Sequence, residues 1–346
     1  MKNSNKVVMV IIGTLIGAGF ASGREIFLFF MQYGYLGQLG IILSSLITGI
    51  IIYLVLKIER KEQINQYAEL LTTINAKHKH LNRCLHGIVN AFLVISFFIM
   101  IAGFSAYMKQ VYQLPNYLSS TLFVLFCYLI FQKSLQGMTK INHYLVPLLL
   151  CLILYLGVKN IPYLIESKAM IEIETKQAGF FLSSLLYASY NSIILIPVLI
   201  TMKPYIQTEK QSKAIAIQSS IIMMLLSFCI YGLLLKGQFY IQELELPLLE
   251  VTLQFGKGYQ YLYGFVIVIS IFTSAISAGY SFLENVSKDK KQYKRNLQLI
   301  CLFGIMISNI GFSSLVQILY PLFGGLGLVQ ILCICHHNQD KKKRIG

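Results

Sequence analysis

Long apolar blocks, many of them about 18 residues or more and nearly free of charge, constrain this chain more than any other feature. Inside a bilayer no water satisfies backbone amides, so a spanning block of this kind must close its hydrogen bonds within itself as a helix. Ten such blocks are read at 7–32, 36–57, 84–108, 116–135, 142–158, 178–202, 214–235, 259–285, 296–311 and 314–335. Only 12% of the residues are charged and 56% are hydrophobic. A soluble surface needs roughly a quarter charged residues. The pattern therefore excludes a soluble enzyme, a disordered chain and a secreted disulfide scaffold.

The formal net charge is +15. In a soluble domain that balance would suggest nucleic acid, but here the basic residues sit in short loops between apolar blocks, where they report topology. With the N-terminus placed in the cytoplasm, 22 Lys and Arg fall on the inner side, among them Lys2, Lys6, Arg60, Lys203 and Lys341 to Arg344. Six fall outside: Lys109, Lys159, Lys168, Lys176, Lys236 and Lys257. That bias puts both termini inside and the number of spans even. No nucleic-acid partner is expected.

The seven cysteines lie mostly within apolar blocks, as small hydrophobes. Cys333-Ile-Cys335-His336-His337 has metal-ligating residue types but no second ligand pair elsewhere. A span end followed by a polar tail is the expected reading. Residues 59–83 read as a cytoplasmic loop with a short helix, and Glu243 to Phe255 as a surface helix capping an entrance.

The ten blocks divide into two fives, 1–160 and 170–337, followed by a basic tail, 338–346. Each five opens with a glycine- or proline-interrupted block. An odd number per half gives the halves opposite orientation, the inverted-repeat plan of many secondary transporters.

In the first block Gly13, Gly17, Gly19 and Gly23 fall within eleven residues. Glycine costs about 1 kcal/mol of helix propensity against alanine. The cluster fits either a break beside a cavity or close packing through small residues at spacing four. Arg24 and Glu25 follow, and ionisable groups in a span usually face a cavity or a partner. The sixth block carries Tyr187, Ser189, Tyr190, Asn191 and Ser192 before Pro197, which favours a second break. In the eighth, Ser270, Thr273, Ser274 and Ser277 share a face at spacings of three and four.

These residues carry a resemblance. Gly13-xxx-Gly17-x-Gly19 and Thr273-Ser274 resemble the sodium-coupled transporters of LeuT fold. The run Gly17 to Glu25 resembles the opening of the YkvI family of bacterial membrane proteins. The resemblance implies an all-α integral membrane protein of ten transmembrane helices, a 5+5 inverted repeat with helices 1 and 6 broken. It implies a sodium site formed by the carbonyls of Gly13, Ile16 and Ser270 and the hydroxyls of Thr273 and Ser274. Solute would lie beside Thr14, Gly17, Ala18 and Gly19, facing Tyr187, Ser189 and Asn191, under an aromatic lid, Phe98 or Phe104. Arg24 would be the outer-gate arginine. Its acidic partner on the tenth span is missing, Gln317 being the nearest polar residue there, so Glu25 is the substitute. Glu284 with Lys6 would form the inner gate. Aligning Glu284 with the family pattern leaves a three-residue gap relative to Thr273-Ser274.

The sequence therefore predicts a non-enzymatic transporter in the bacterial cell membrane. Its partners are the lipid bilayer and a small organic solute, an amino acid or a related compound. Sodium is the coupling ion and no organic cofactor is expected. Two alternatives stay open: proton coupling through Glu25, and a receptor that keeps the fold without transporting. The residues do not fix the oligomeric state.

Overall fold

The computed structural model describes residues 2–74, 79–132, 138–161, 179–236 and 244–345. The basic residues Lys168 and Lys176 and the expected helix start at Glu243 lie outside them. Each of the ten apolar blocks contains helix, continuous in most and interrupted in the first. Six helices are long and apolar enough to cross a membrane by length and composition: α4 (Tyr35–Glu62), α6 (Lys79–Tyr112), α9 (Phe180–Thr201), α10 (Glu209–Lys236), α12 (Lys257–Val286) and α14 (Phe312–Ile345, apolar to Gln339). The protein is a multi-spanning helical membrane protein. The remaining blocks supply α1 (Lys2–Leu15), α7 (Asn116–Phe131), α8 (Met138–Lys159) and α13 (Lys290–Ile307).

The first block is interrupted twice. Helix α1 stops at Leu15, a short α2 covers Ala18–Ala21, and α3 covers Arg24–Phe29. At the first interruption the Gly17 amide donates to Leu15 O at 3.2 Å, so the Gly13 carbonyl loses its helical donor. At the second, Gly23 takes φ +81°, a left-handed conformation that other residues adopt at a cost. Of the two readings of the glycine cluster, the break is the one realised.

Helix α9 corrects the expectation for the sixth block. It runs unbroken from Phe180 to Thr201 with Pro197 inside it. Pro197 stands one turn from the end, so it removes a single late amide donor. Three of α9's polar side chains need no break because they bond back to their own helix. Ser189 donates to Leu185 O at 2.6 Å, Asn191 to Tyr187 O at 3.0 Å and Ser192 to Ser189 O at 2.6 Å.

Helix α9 packs against both α4 and α14, α10 against α4, and α6 along α12. The α9–α14 contact is set by small residues. A Cβ on Gly324 would meet Leu186 O, and one on Gly327 would run into the carbonyl of Ser189. Without strong hydrophobic drive between helices in lipid, such close backbone approach supplies the packing attraction. A short α5 (Tyr67–Ile74) occupies the 59–83 segment as expected. The segment read as a surface helix is instead a buried plug, α11 (Pro247–Leu253), with Leu248, Leu249 and Val251 fully enclosed.

Candidate functional site

The α1–α2 break faces α12. The Ser270 hydroxyl donates to Ile16 O at 3.3 Å. The Thr273 hydroxyl donates back to Ile269 O at 3.0 Å and Ser270 O at 3.2 Å. Thr273 is buried and Ser274 half-buried, whereas Ser277 is exposed. Ile16 and Ser270 are thus in contact, with Gly13 one turn below. The arrangement gathers carbonyl and hydroxyl oxygens, the donors that replace the hydration shell of an alkali cation. It holds neither thiolate nor imidazole. Among the described residues no group of three His, Cys, Asp or Glu could hold a metal ion, Cys333 to His337 included.

Beyond the break lies Glu25, 1% exposed. Its Oε1 accepts a hydrogen bond from the Tyr190 hydroxyl at 2.8 Å. Its Oε2 and the Tyr187 hydroxyl are buried with no partner at bonding geometry. Gly19 makes room for the carboxylate, since a Cβ there would strike Glu25 Oε1. Rings enclose it. Tyr190 stacks on Phe29 at 6.2 Å and on Tyr320 at 4.5 Å, and Phe92 lies 6.0 Å from Tyr190. Tyr187 packs on Phe29 at 5.2 Å. Sequence reasoning missed Phe92 and Tyr320, because an aromatic residue in an apolar block carries no mark of its facing. Neither lid candidate packs against Tyr190. Phe104 stacks on Phe123 of α7 at 4.7 Å, and Phe98 sits beside Gly304 of α13. The third-block aromatic that faces α9 is Phe92.

A small cavity adjoins this group. Tyr187 and Asn191 of α9 line it together with Leu15 of α1. Its other wall is Ser45 and Thr48 of α4 with Met223 and Ser227 of α10. Tyr187 and Asn191 are four residues apart and share a helix face. Ser189, midway between them, lies on the other side of the helix with its hydroxyl on Leu185 O, and it does not line the cavity. Thr14 donates to Val10 O at 2.8 Å along its own helix. A Cβ built on Gly17 would meet nothing within 4 Å, while Ala18 and Gly19 are buried.

The expected gates are rearranged. Arg24 donates through Nη1 to Leu244 O at 3.3 Å, with its guanidinium 5.1 Å from the Phe27 ring. Adjacent helical residues diverge, so Arg24 reaches outward to the approach to α11 while Glu25 turns inward; Glu25 does not replace the missing gate partner. A carboxylate near Arg24 is Glu245, whose Oε2 accepts from the Ser313 amide in the first turn of α14 at 2.5 Å. Gln317 is exposed. At the other end Lys6 and Glu284 are both exposed and form no ion pair with each other. Glu284 lies one turn after Tyr280 on α12.

The short α2 is pinned by Tyr263 of α12, whose fully buried hydroxyl donates to Ala21 O at 2.7 Å. Tyr263→Phe leaves that carbonyl unsatisfied and is expected to cost about 1–3 kcal/mol. The check is a lower thermal midpoint in detergent with an unchanged elution profile.

No family model matches the chain. It is similar to two Bacillus subtilis (strain 168) proteins. YyaD is 26% identical over 335 residues, covering 95% of each chain. The membrane protein YkvI is 23% identical over 341 residues, covering 95% of this chain and 94% of its own. Among solved structures, a mutant of the manganese transporter of Eremococcus coleocola superposes with TM-score 0.60 at 14% identity, over 96% of this chain and 78% of that one. MhsT in complex with L-phenylalanine gives 0.54 at 17%, over 93% and 86%. Mhp1 in an inward-facing conformation gives 0.53 at 9%, over 93% and 72%. The fold is therefore the LeuT fold these structures share.

Proposed function

We propose that the chain is a secondary active transporter that moves a small organic solute, an amino acid or a related compound, by alternating access and with sodium as the coupling ion. In this reading ten helices span the bacterial cell membrane as two inverted five-helix repeats, 1–160 and 170–337, with both termini and the 338–346 tail in the cytoplasm. The observation that carries it is the Ser270 hydroxyl of α12 reaching the Ile16 carbonyl at the break in the first span. A helix broken beside a second helix that presents hydroxyls suits an ion site whose occupancy can govern movement of that second helix. A ligand shifts such an equilibrium only through contacts that differ between the two states, and oxygens divided between α1 and α12 can supply that difference.

Manganese, the substrate named for one structural neighbour, is a poorer fit here. Among the described residues the only carboxylate of the group around the break is Glu25, and it sits among rings rather than beside further metal ligands.

The test is thermal stability of the purified protein across small metabolites, each in sodium and in choline at equal ionic strength. Sodium is expected to raise the midpoint and to strengthen the response to a bound solute. Uptake of that solute into proteoliposomes under an inward sodium gradient then separates a transporter from a receptor, which binds without moving it. Uptake indifferent to sodium, driven by a proton gradient and lost in Glu25→Gln, would transfer the coupling role to Glu25.

A further inference from the structure

We propose that the end of the bundle where α4 finishes and α10 begins binds the head group of an anionic phospholipid, its phosphate held by Lys57, Arg60 and Lys213. The inference goes beyond the transporter reading and does not rest on it. Glu209, in the first turn of α10, ties the group together. Its Oε1 accepts from the Tyr53 hydroxyl at 2.9 Å and from Lys213 Nζ at 3.3 Å, and its Oε2 accepts from Arg60 Nη2 at 3.2 Å. One carboxylate thus serves three donors. The ammonium groups of Lys57 and Lys213 each lie 5.9 Å from the centre of the Tyr53 ring. Among the described residues Lys57 has no ion-pair partner. Glu59, two positions on, is 1% exposed and buried in the protein, away from this surface. Three cations gathered around one carboxylate leave a positive excess that a further anion would neutralise.

The surroundings select a lipid over a free anion. Further into the span, Leu46 and Ile50 of α4 are 54% and 56% exposed, and Ile217 and Ile221 of α10 are 59% and 46% exposed. These positions continue the helix faces that carry the cations. Leu46, Ile50, Tyr53 and Lys57 follow one another at spacings of three and four, and Ile221, Ile217 and Lys213 at spacings of four. Helices α4 and α10 pack together, so the two apolar stripes run side by side. From Ile50 to Lys57 the helix rises about 10 Å. A lipid whose acyl chains lie along Ile50 and Ile217 therefore brings its head group level with Lys57 and Lys213. Tyr53, half-buried at that level, is a residue type enriched where hydrocarbon meets head groups. Lysine and arginine form charge-assisted hydrogen bonds to phosphate, and basic groups at a membrane surface favour anionic lipid.

The test is native mass spectrometry of the full-length protein with phosphatidylglycerol and phosphatidylcholine of identical acyl chains, paired with thermal midpoints in detergent. Phosphatidylglycerol is expected to stay bound and to raise the midpoint, and phosphatidylcholine to do neither. Lys57→Gln, which breaks no ion pair among the described residues, is expected to weaken phosphatidylglycerol binding about fivefold. Lys57→Gln with Lys213→Gln is expected to weaken it about thirtyfold. Lys257→Gln, an exposed lysine at the opposite end of the bundle, is expected to bind as the wild type does. If the double variant yields no folded protein, Lys57→Gln decides. Inorganic phosphate and glycerol 3-phosphate at millimolar concentration are expected to leave the midpoint in place. Protection by either that equals protection by phosphatidylglycerol would make this a site for free anions and overturn the lipid assignment. Equal retention of the two lipids, unchanged affinity in the deciding variant, or an equal loss in Lys257→Gln would overturn it as well.

Discussion

Alanine at both Gly324 and Gly327 is expected to destabilise the protein by about 1–4 kcal/mol and to reduce the single-species peak recovered in detergent. Alanine at Gly325, between them, is expected to be neutral or mildly stabilising. The argument is geometric. Gly324 and Gly327 are three residues apart on one face of α14, turned to α9. A methyl group on the first meets Leu186 O and on the second the Ser189 carbonyl, and backbone oxygens of a packed helix cannot swing aside as a side-chain tip can. Overpacking of this kind costs about 1–3 kcal/mol per site. Against it stands a helix-propensity gain of up to about 1 kcal/mol per glycine removed. Steric cost wins at the two facing positions. At Gly325 a Cβ meets nothing within 4 Å, so only the propensity gain remains. Equal thermal midpoints for the double variant and Gly325→Ala would show that α9 and α14 do not meet through these residues.

What the sequence disclosed and what it withheld follow from the range of each physical signal. The first-span break was one of two readings the sequence left open, because four closely spaced glycines lower helix propensity locally but also permit close packing. The same reasoning failed for the sixth block. A proline close to a helix end removes little, and side-chain bonds from Ser189, Asn191 and Ser192 to their own helix relieve the need for a break. Ser189 was assigned to the solute face with Tyr187 and Asn191, although at two positions from each it lies on the other side of a continuous helix. That error came from supposing the helix unwound there. The aromatic box was not legible, because Phe92 and Tyr320 come from distant parts of the chain and only the packing of α6 and α14 around α9 brings them to Glu25. Glu245 was hidden for a similar reason. An acidic gate partner was sought on the tenth block, whereas the approach to α11 brings a carboxylate to the first turn of α14 from 68 residues earlier in the chain. Orientation by loop charge and the division into two fives rest on the sequence alone.

Removing the two hydroxyls opposite the break, Ser270→Ala with Thr273→Ala, is expected to raise the sodium concentration needed for half-maximal stabilisation about tenfold to thirtyfold while leaving the fold intact. Both hydroxyls now donate to carbonyls, Ser270 to Ile16 and Thr273 to Ile269 and Ser270. A cation entering between α1 and α12 would take the place of the donated protons, turning each hydroxyl so that its oxygen lone pairs face the ion. Without the ion, alanine loses one modest hydrogen bond at each position, about 1 kcal/mol apiece. With the ion, alanine loses a ligand at each, and about 1.4 kcal/mol of differential binding is worth a factor of ten. The variant should therefore match the wild type in choline within a few degrees and separate from it in sodium. Ser277→Ala, a hydroxyl of the same helix that is exposed, is expected to behave as wild type in both salts. Should the double variant respond to sodium as the wild type does, the oxygens at this break are not the coupling site. The α1–α12 contact would then be structural, and the search for the driving ion would return to Glu25.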